Sequence, residues 1–214
     1  MSKALVPRVG VYDLYWQFAA KRQAIFEKRL KGATPPWTDD PILQTYKFCN
    51  VYRAADRVSQ YLIRSVIYTD EQMSAADKLF QIVMFRTFSK TETWDALLQR
   101  LGESPKLKQL KSGALERALD EIKTERGGLY TSAFILCANK AFGHDEKHHN
   151  YLGLFRQMFL EDNAAEKILH IESLEALVKY LQSFPLLGPF MAYQIAIDIN
   201  LSLIHISEPT RRTP

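Results

Sequence analysis

Apolar residues in this chain recur at three- and four-residue steps, the period of an amphipathic helix. From Tyr12 to Lys31, Leu14, Phe18, Ile25 and Leu30 are apolar, with Arg22, Lys28, Arg29 and Lys31 set among them. The run Gly32-Ala-Thr-Pro-Pro36 ends that helix. Thr38, Asp39 and Asp40 are each able to cap the next one, and Pro41 suits a first helical position. Val51, Ala55, Val58, Leu62 and Val66 then predict one amphipathic helix through Arg64. Leu79 to Phe88 is apolar nearly all round, the mark of a central buried helix. Its one interruption is Arg86, a charge that needs a partner, with Asp56, Asp77 and Glu92 as candidates.

Further helices follow from the same pattern. Thr69-Asp70-Glu71 reads as a capping signal before the buried helix, and Ser89 with Glu92 as a capping box for the one after it. Residues 114–126 read as a charged surface helix with acid-to-base pairs four apart, broken by Gly127-Gly128. Leu129 to Phe142 suits a helix or a buried strand, and its length favours helix. Helical pieces follow at Tyr151–Leu160, Ala164–Leu169 and from Ser173 to Ser183. A turn at Pro185–Pro189 then starts a last helix at Phe190. The fold class expected is all-α, a single helical domain.

Candidate chemistry centres on Arg53, Asp56, Arg57, Gln60 and Arg64, which share a face of the expected helix. That face has three arginines and no lysine or glutamate. Arginine grips phosphate or a base edge with a planar fork. A solvated helix face is the plainer reading of the same pattern. Tyr12, Tyr15, Trp16 and Phe18 beside basic residues suit a nucleic-acid strand, or core packing with a basic rim.

The segments WTDDPIL, KFCNVYR and DRVSQYLIR resemble the helical domain of DNA 5-hydroxymethyldeoxyuridine kinases. The alpha-putrescinyl and alpha-glutamyl thymine pyrophosphorylases are related phage-type enzymes. The resemblance continues through FRTFSKTETWDAL and FPLLGPFMAYQIAIDIN and covers most of residues 12 to 200. It implies a phage or bacterial-host protein that modifies thymine in DNA, by phosphorylation of, or group transfer to, a hydroxymethyl base. It implies DNA as partner, and ATP and magnesium if kinase activity is present. Catalytic candidates are Asp56, Arg57 and Glu92, and nucleic-acid-binding candidates are Arg53, Arg57, Gln60, Arg64, Lys90 and Gly188. Lys90 and Glu92 belong to the motif SKTETW.

FPLLGPFMA is similar to a helix-hairpin-helix element of the DNA-glycosylase-like kind, whose Gly-rich turn takes a DNA phosphate on backbone N–H groups. Leu186 stands where the first Gly of that pattern belongs, and Pro189 removes one donor. In such folds a catalytic Asp lies further along the chain; Asp198 is the nearest candidate. No GxxxxGK[ST] loop occurs, so a P-loop kinase site is expected on a separate domain or not at all. Two other readings remain: a non-catalytic DNA-binding module, and an all-helical protein-interaction domain.

The remaining bounds are compositional. The 214 residues carry a formal charge of +4 and a pI near 9.0, which permits a polyanion partner without demanding one. Cys49 and Cys137 sit in apolar neighbourhoods; they allow a single disulfide, but the preferred reading is buried free thiols of a reducing compartment and a soluble cytoplasmic protein. No window is long and apolar enough to span a bilayer. His144 and His148, with Glu146 between them, do not have zincin spacing, so no metal is expected. Residues 1–10 read as a flexible start and 11–200 as the helical domain. Residues 201–214, LSLIHISEPTRRTP, resemble a translated transposase-type sequencing adapter, making the domain incomplete at its C-terminus. Setting aside Glu208, Arg211 and Arg212 lowers the formal charge from +4 to +3.

Overall fold

The computed structural model describes residues 8–69, 72–132 and 140–202. Among these the architecture is all-α, and no strand occurs. Contacts divide the chain into two compact units, residues 1–59 and 60–214.

The first unit begins with α1 (Val9–Leu30), which starts inside the stretch expected to be a flexible lead. Gly32, with φ of 73°, turns the chain after it. Asp40 then caps α2 (Pro41–Thr45): its carboxylate accepts from the N–H groups of Ile42 and Leu43 at 3.0 and 3.3 Å. Its other oxygen takes the Lys21 ammonium at 2.8 Å, tying α2 back to α1.

The single helix expected from Val51 to Val66 is not formed. A 3-10 turn at Arg53–Ala55 is followed by an extended Asp56, and α3 (Arg57–Leu62) begins only there. The cause is local. Asp56 accepts the Asn50 N–H at 2.9 Å, and the Asn50 side-chain amide donates to Ala55 O at 2.8 Å. These bonds offer the backbone a closed loop in place of a helical turn. Arg53 therefore does not share a helix face with Arg57. The division between the two units falls within α3. A π-helical turn, Ile63–Ile67, follows it.

The second unit is built around α4 (Ala75–Phe88), in which every residue from Lys78 onward is buried. Ser74 caps it, accepting from the Asp77 N–H at 3.1 Å. The cap is thus later than the Thr69-Asp70-Glu71 signal, of which Asp70 and Glu71 lie outside the described residues. Ser89 is left-handed, with φ of 48°, and closes α4 instead of capping α5 (Thr91–Leu101), whose N-cap is Lys90. Then come α6 (Leu107–Lys111), α7 (Ala114–Arg126), α8 (Lys147–Arg156) with a π-helical extension to Glu161, α9 (Ala164–Leu169), α10 (Leu174–Gln182) and α11 (Pro189–Asn200). Helix α4 packs against α11, α9, α6 and α8. Phe80, Phe155 and Phe159 meet edge-on within this core.

Three expectations change here. The acids of α7 pair across helices, not along their own: Glu121 and Glu125 with Arg100 of α5, and Glu116 with Arg156 of α8. Residues 129–132 are irregular rather than helical; 133–139, with Cys137, lie outside the described residues. Cys49 is exposed, not buried. Residues 203–214, most of the adapter-like segment, also lie outside the described residues. Among the described residues no helix is long and apolar enough to cross a membrane.

Candidate nucleic-acid interface

The first unit carries two adjoining clefts. The larger, about 750 Å³, is lined by Phe26, Arg29, Lys47, Phe48, Asp56 and Arg57, among others. The smaller, about 400 Å³, is walled by Pro35, Pro36, Trp37 and Leu43. Ile25, Arg29 and Phe48 belong to both. Local contacts fix several of the lining residues. Ile25 is buried in α1, which sets Phe26, Arg29 and Leu30 around it. The Trp37 indole N–H donates to Ala33 O at 2.7 Å, and the Arg29 guanidinium lies 5.2 Å from the Trp37 ring centroid. The Asn50–Asp56 clamp fixes the loop that ends at Arg57.

Electrostatically the larger cleft is positive. Arg29, Lys47 and Arg57 face a single acid, Asp56, which is engaged by the Asn50 N–H. Lys47 and Arg57 are exposed and have no ion-pair partner among the described residues. Phe26 and Phe48 line this cleft with the three cations, and the Trp37 indole lines the adjoining one, a mixture that suits a phosphate backbone beside stacked bases.

The expected site residues divide between the units. Arg53, Asp56 and Arg57 belong to the first, and of these Asp56 and Arg57 line the cleft. Gln60, Arg64, Lys90, Glu92 and Gly188 belong to the second. There Arg64 is exposed on the π-helical turn, and Gln60 is half-buried. Lys90 donates to Gly128 O at 2.6 Å, beside a Thr93 hydroxyl that donates to Leu129 O at 2.8 Å. These bonds anchor the Gly127-Gly128 loop to the start of α5. Glu92 is exposed, and its backbone carbonyl accepts from Arg126. Gly188 is the exposed N-cap of α11. No hydrogen bond or ion pair joins Arg64, Lys90 and Gly188 among the described residues.

In the turn before α11, Leu186 has φ of 67°, a left-handed backbone that favours glycine. It falls at the position where the helix-hairpin-helix pattern has its first Gly. Asp198 is fully buried against Arg86, which excludes it from any accessible site. Arg86 thus finds a partner other than the three expected.

Arg29 and Lys47 were not singled out from the sequence as binding residues. The signal for Arg29 was the mixture of rings and bases along α1, and Lys47 lies in the motif KFCNVYR.

The model of the family described as 5-hmdU DNA kinase, helical domain, matches residues 9–209. The match includes the first residues of the adapter-like segment. A protein of Bacillus phage SP10 described as 5-hmdU DNA kinase is 28% identical over 208 residues. That alignment covers 91% of this chain and 32% of the phage protein, so the chain spans about a third of that relative's length. No solved structure matches this chain.

Proposed function

Since the chain belongs to the family of 5-hmdU DNA kinase helical domains, we propose that it holds DNA for modification of a hydroxymethylated thymine-type base. The observation that carries this reading is the paired cleft of the first unit. Arg29, Lys47 and Arg57 offer three cations to a phosphate backbone. The adjoining Pro35, Pro36, Trp37 and Leu43 walls offer a flat apolar recess for one base taken out of the stack. Arg29 borders both, so one guanidinium serves the strand and the entrance to the recess. In the second unit, Gly188 and the turn before α11 are a further candidate for a phosphate contact, reduced by Pro189 at the first helical position.

The chain's nine glycines form no P-loop, so ATP and magnesium are assigned to no residue here. Its own contribution is binding and placement of the base. Asp56 positions Arg57 by closing the preceding loop, and in this reading it takes no proton from substrate.

The test is binding of a duplex carrying one 5-hydroxymethyluracil against the same duplex with thymine. Arg57→Glu weakens binding to both duplexes. Trp37→Ala narrows the difference between them. Retention of full affinity by Arg57→Glu, with an unchanged melting curve, removes the cleft from the DNA-binding surface.

A further inference from the structure

Helix α7 sets Glu116 and Asp120 one turn apart, facing the start of α8. The loop before α8 is fixed by the buried Asn150. Its carbonyl oxygen accepts from the N–H groups of Phe142 and His144 at 3.0 and 3.4 Å, and its amide donates to His144 O and Glu146 O at 2.6 and 3.0 Å. This places the adjacent residues His148 and His149 against one carboxylate. Asp120 Oδ1 lies 2.7 Å from His148 Nε2 and 2.8 Å from His149 Nε2. The three atoms fall within 4.8 Å of one another.

The surroundings suit a cation. A cleft of about 350 Å³ opens beside Asp120 and His148, with Lys123, Thr124 and Glu146 on its wall. Glu116 Oε1 lies 3.9 Å from His149 Nε2. Glu146 Oε2 lies 3.9 Å from His148 Nδ1, which adds a second carboxylate beside the imidazole pair but no hydrogen bond to it. Lys123 is engaged by Glu146, which offsets its charge. His148 is buried, with its ring held against Asp120 at the edge of this cleft. Two imidazoles and a carboxylate suit zinc and its first-row neighbours, whereas magnesium and calcium take oxygen sets. Ligand atoms around such an ion stand ~3.3 Å apart for bonds of ~2.0 Å. The present spacing therefore needs an opening of about half an ångström.

We propose that His148 Nε2, His149 Nε2 and Asp120 Oδ1 bind a zinc-type divalent ion, with a further coordination position open to the cleft. The site lies wholly in the second unit and is independent of the DNA reading. The sequence concealed it, because the third ligand comes from 28 residues upstream of His148.

The experiment is zinc titration of the full chain against a chromophoric chelator, with thermal melting at each step. One equivalent binds, the melting temperature rises, and millimolar magnesium does not compete. His149→Ala and Asp120→Asn, both at partly exposed positions, lower zinc affinity at least ~tenfold. His170→Ala, at an exposed position at the end of α9, leaves it unchanged. If wild type takes up no zinc, or if His149→Ala and Asp120→Asn bind it as wild type does, the three groups are a hydrogen-bonded brace and the site is refuted. Circular dichroism of each variant separates lost ligation from lost folding.

Discussion

Arg86 and Asp198, 112 residues apart in sequence, form an ion pair in the interior of the second unit. Asp198 is fully buried and Arg86 nearly so. The pair joins α4 to α11. Arg86 Nη1 also reaches the Ser89 hydroxyl at 3.3 Å, while Nη2 has no hydrogen-bond partner among the described residues. Two charges taken out of water contribute little net stability as a pair, but either one left alone is costly. Asp198→Ala is therefore expected to lower stability by about 3–5 kcal/mol. The double variant Arg86→Met/Asp198→Leu recovers most of that loss. Urea denaturation of both checks the claim; an Asp198→Ala protein of wild-type stability would restore the possibility of a site role for this carboxylate.

Helix α8 rests on a close approach. A Cβ placed on Gly153 meets the Phe142 side chain at 2.6 to 2.9 Å. Gly153→Ala is expected to destabilise the second unit by about 1–3 kcal/mol, although alanine is the better helix former. Phe142→Ala in the same background relieves the clash, so the double variant loses less than the sum of the two. A double-mutant cycle by thermal melting reads this directly.

Asn150 satisfies four backbone groups with one side chain. Asn150→Ala leaves them without that partner and is expected to cost about 2–3 kcal/mol. If the loop it holds also presents His148 and His149 to zinc, the same change lowers zinc affinity without removing a ligand. Added zinc should then recover less melting temperature in this variant than in wild type.

The α1–α2 tether carries a pH dependence. The Lys21 ammonium, with the N–H groups of Leu43 and Ile42, holds the Asp40 carboxyl below its ordinary value of 3.8. A depressed carboxyl contributes stability above its unfolded pKa, and that contribution is lost as pH falls through the folded one. Protection of the Ile42 and Leu43 amides from hydrogen exchange should therefore decline as pH is lowered from 5 to 3, after correction for intrinsic exchange. Asp40→Asn, which keeps a capping oxygen but no charge, should flatten that decline.

Much of the fold was legible because it depends on local rules. The continuous apolar run Leu79–Phe88 has one stable place, the centre of a helical unit. Asp40 before Pro41, Ser173 before Leu174 and Gly127 after Arg126 mark helix ends by caps and by a left-handed residue. The reading failed where distant partners decide. Val51 and Ala55 continue the period of Val58, Leu62 and Val66, yet Asn50 and Asp56 close a loop across them. Ser89 and Glu92 match a capping box, yet Ser89 turns left-handed and donates to Arg86 O. Arg86 has acids nearby in sequence, yet Asp198 reaches it from α11. The candidate site was legible in half. Arg57 and Asp56 stand on a cleft, but Arg29 and Lys47 reach it from other segments, and only folding brings them together.

The most direct measurement is the salt dependence of DNA binding by the wild-type chain and by the triple variant Arg29→Ala/Lys47→Ala/Arg57→Ala. Fluorescence anisotropy with a 5-hydroxymethyluracil duplex across a potassium chloride series supplies the slope of log K against log salt. If all three cations contact phosphate, the triple variant binds more weakly and its slope is shallower by about 3. Equal affinity and equal slope, with both proteins folded, would contradict a DNA strand in this cleft.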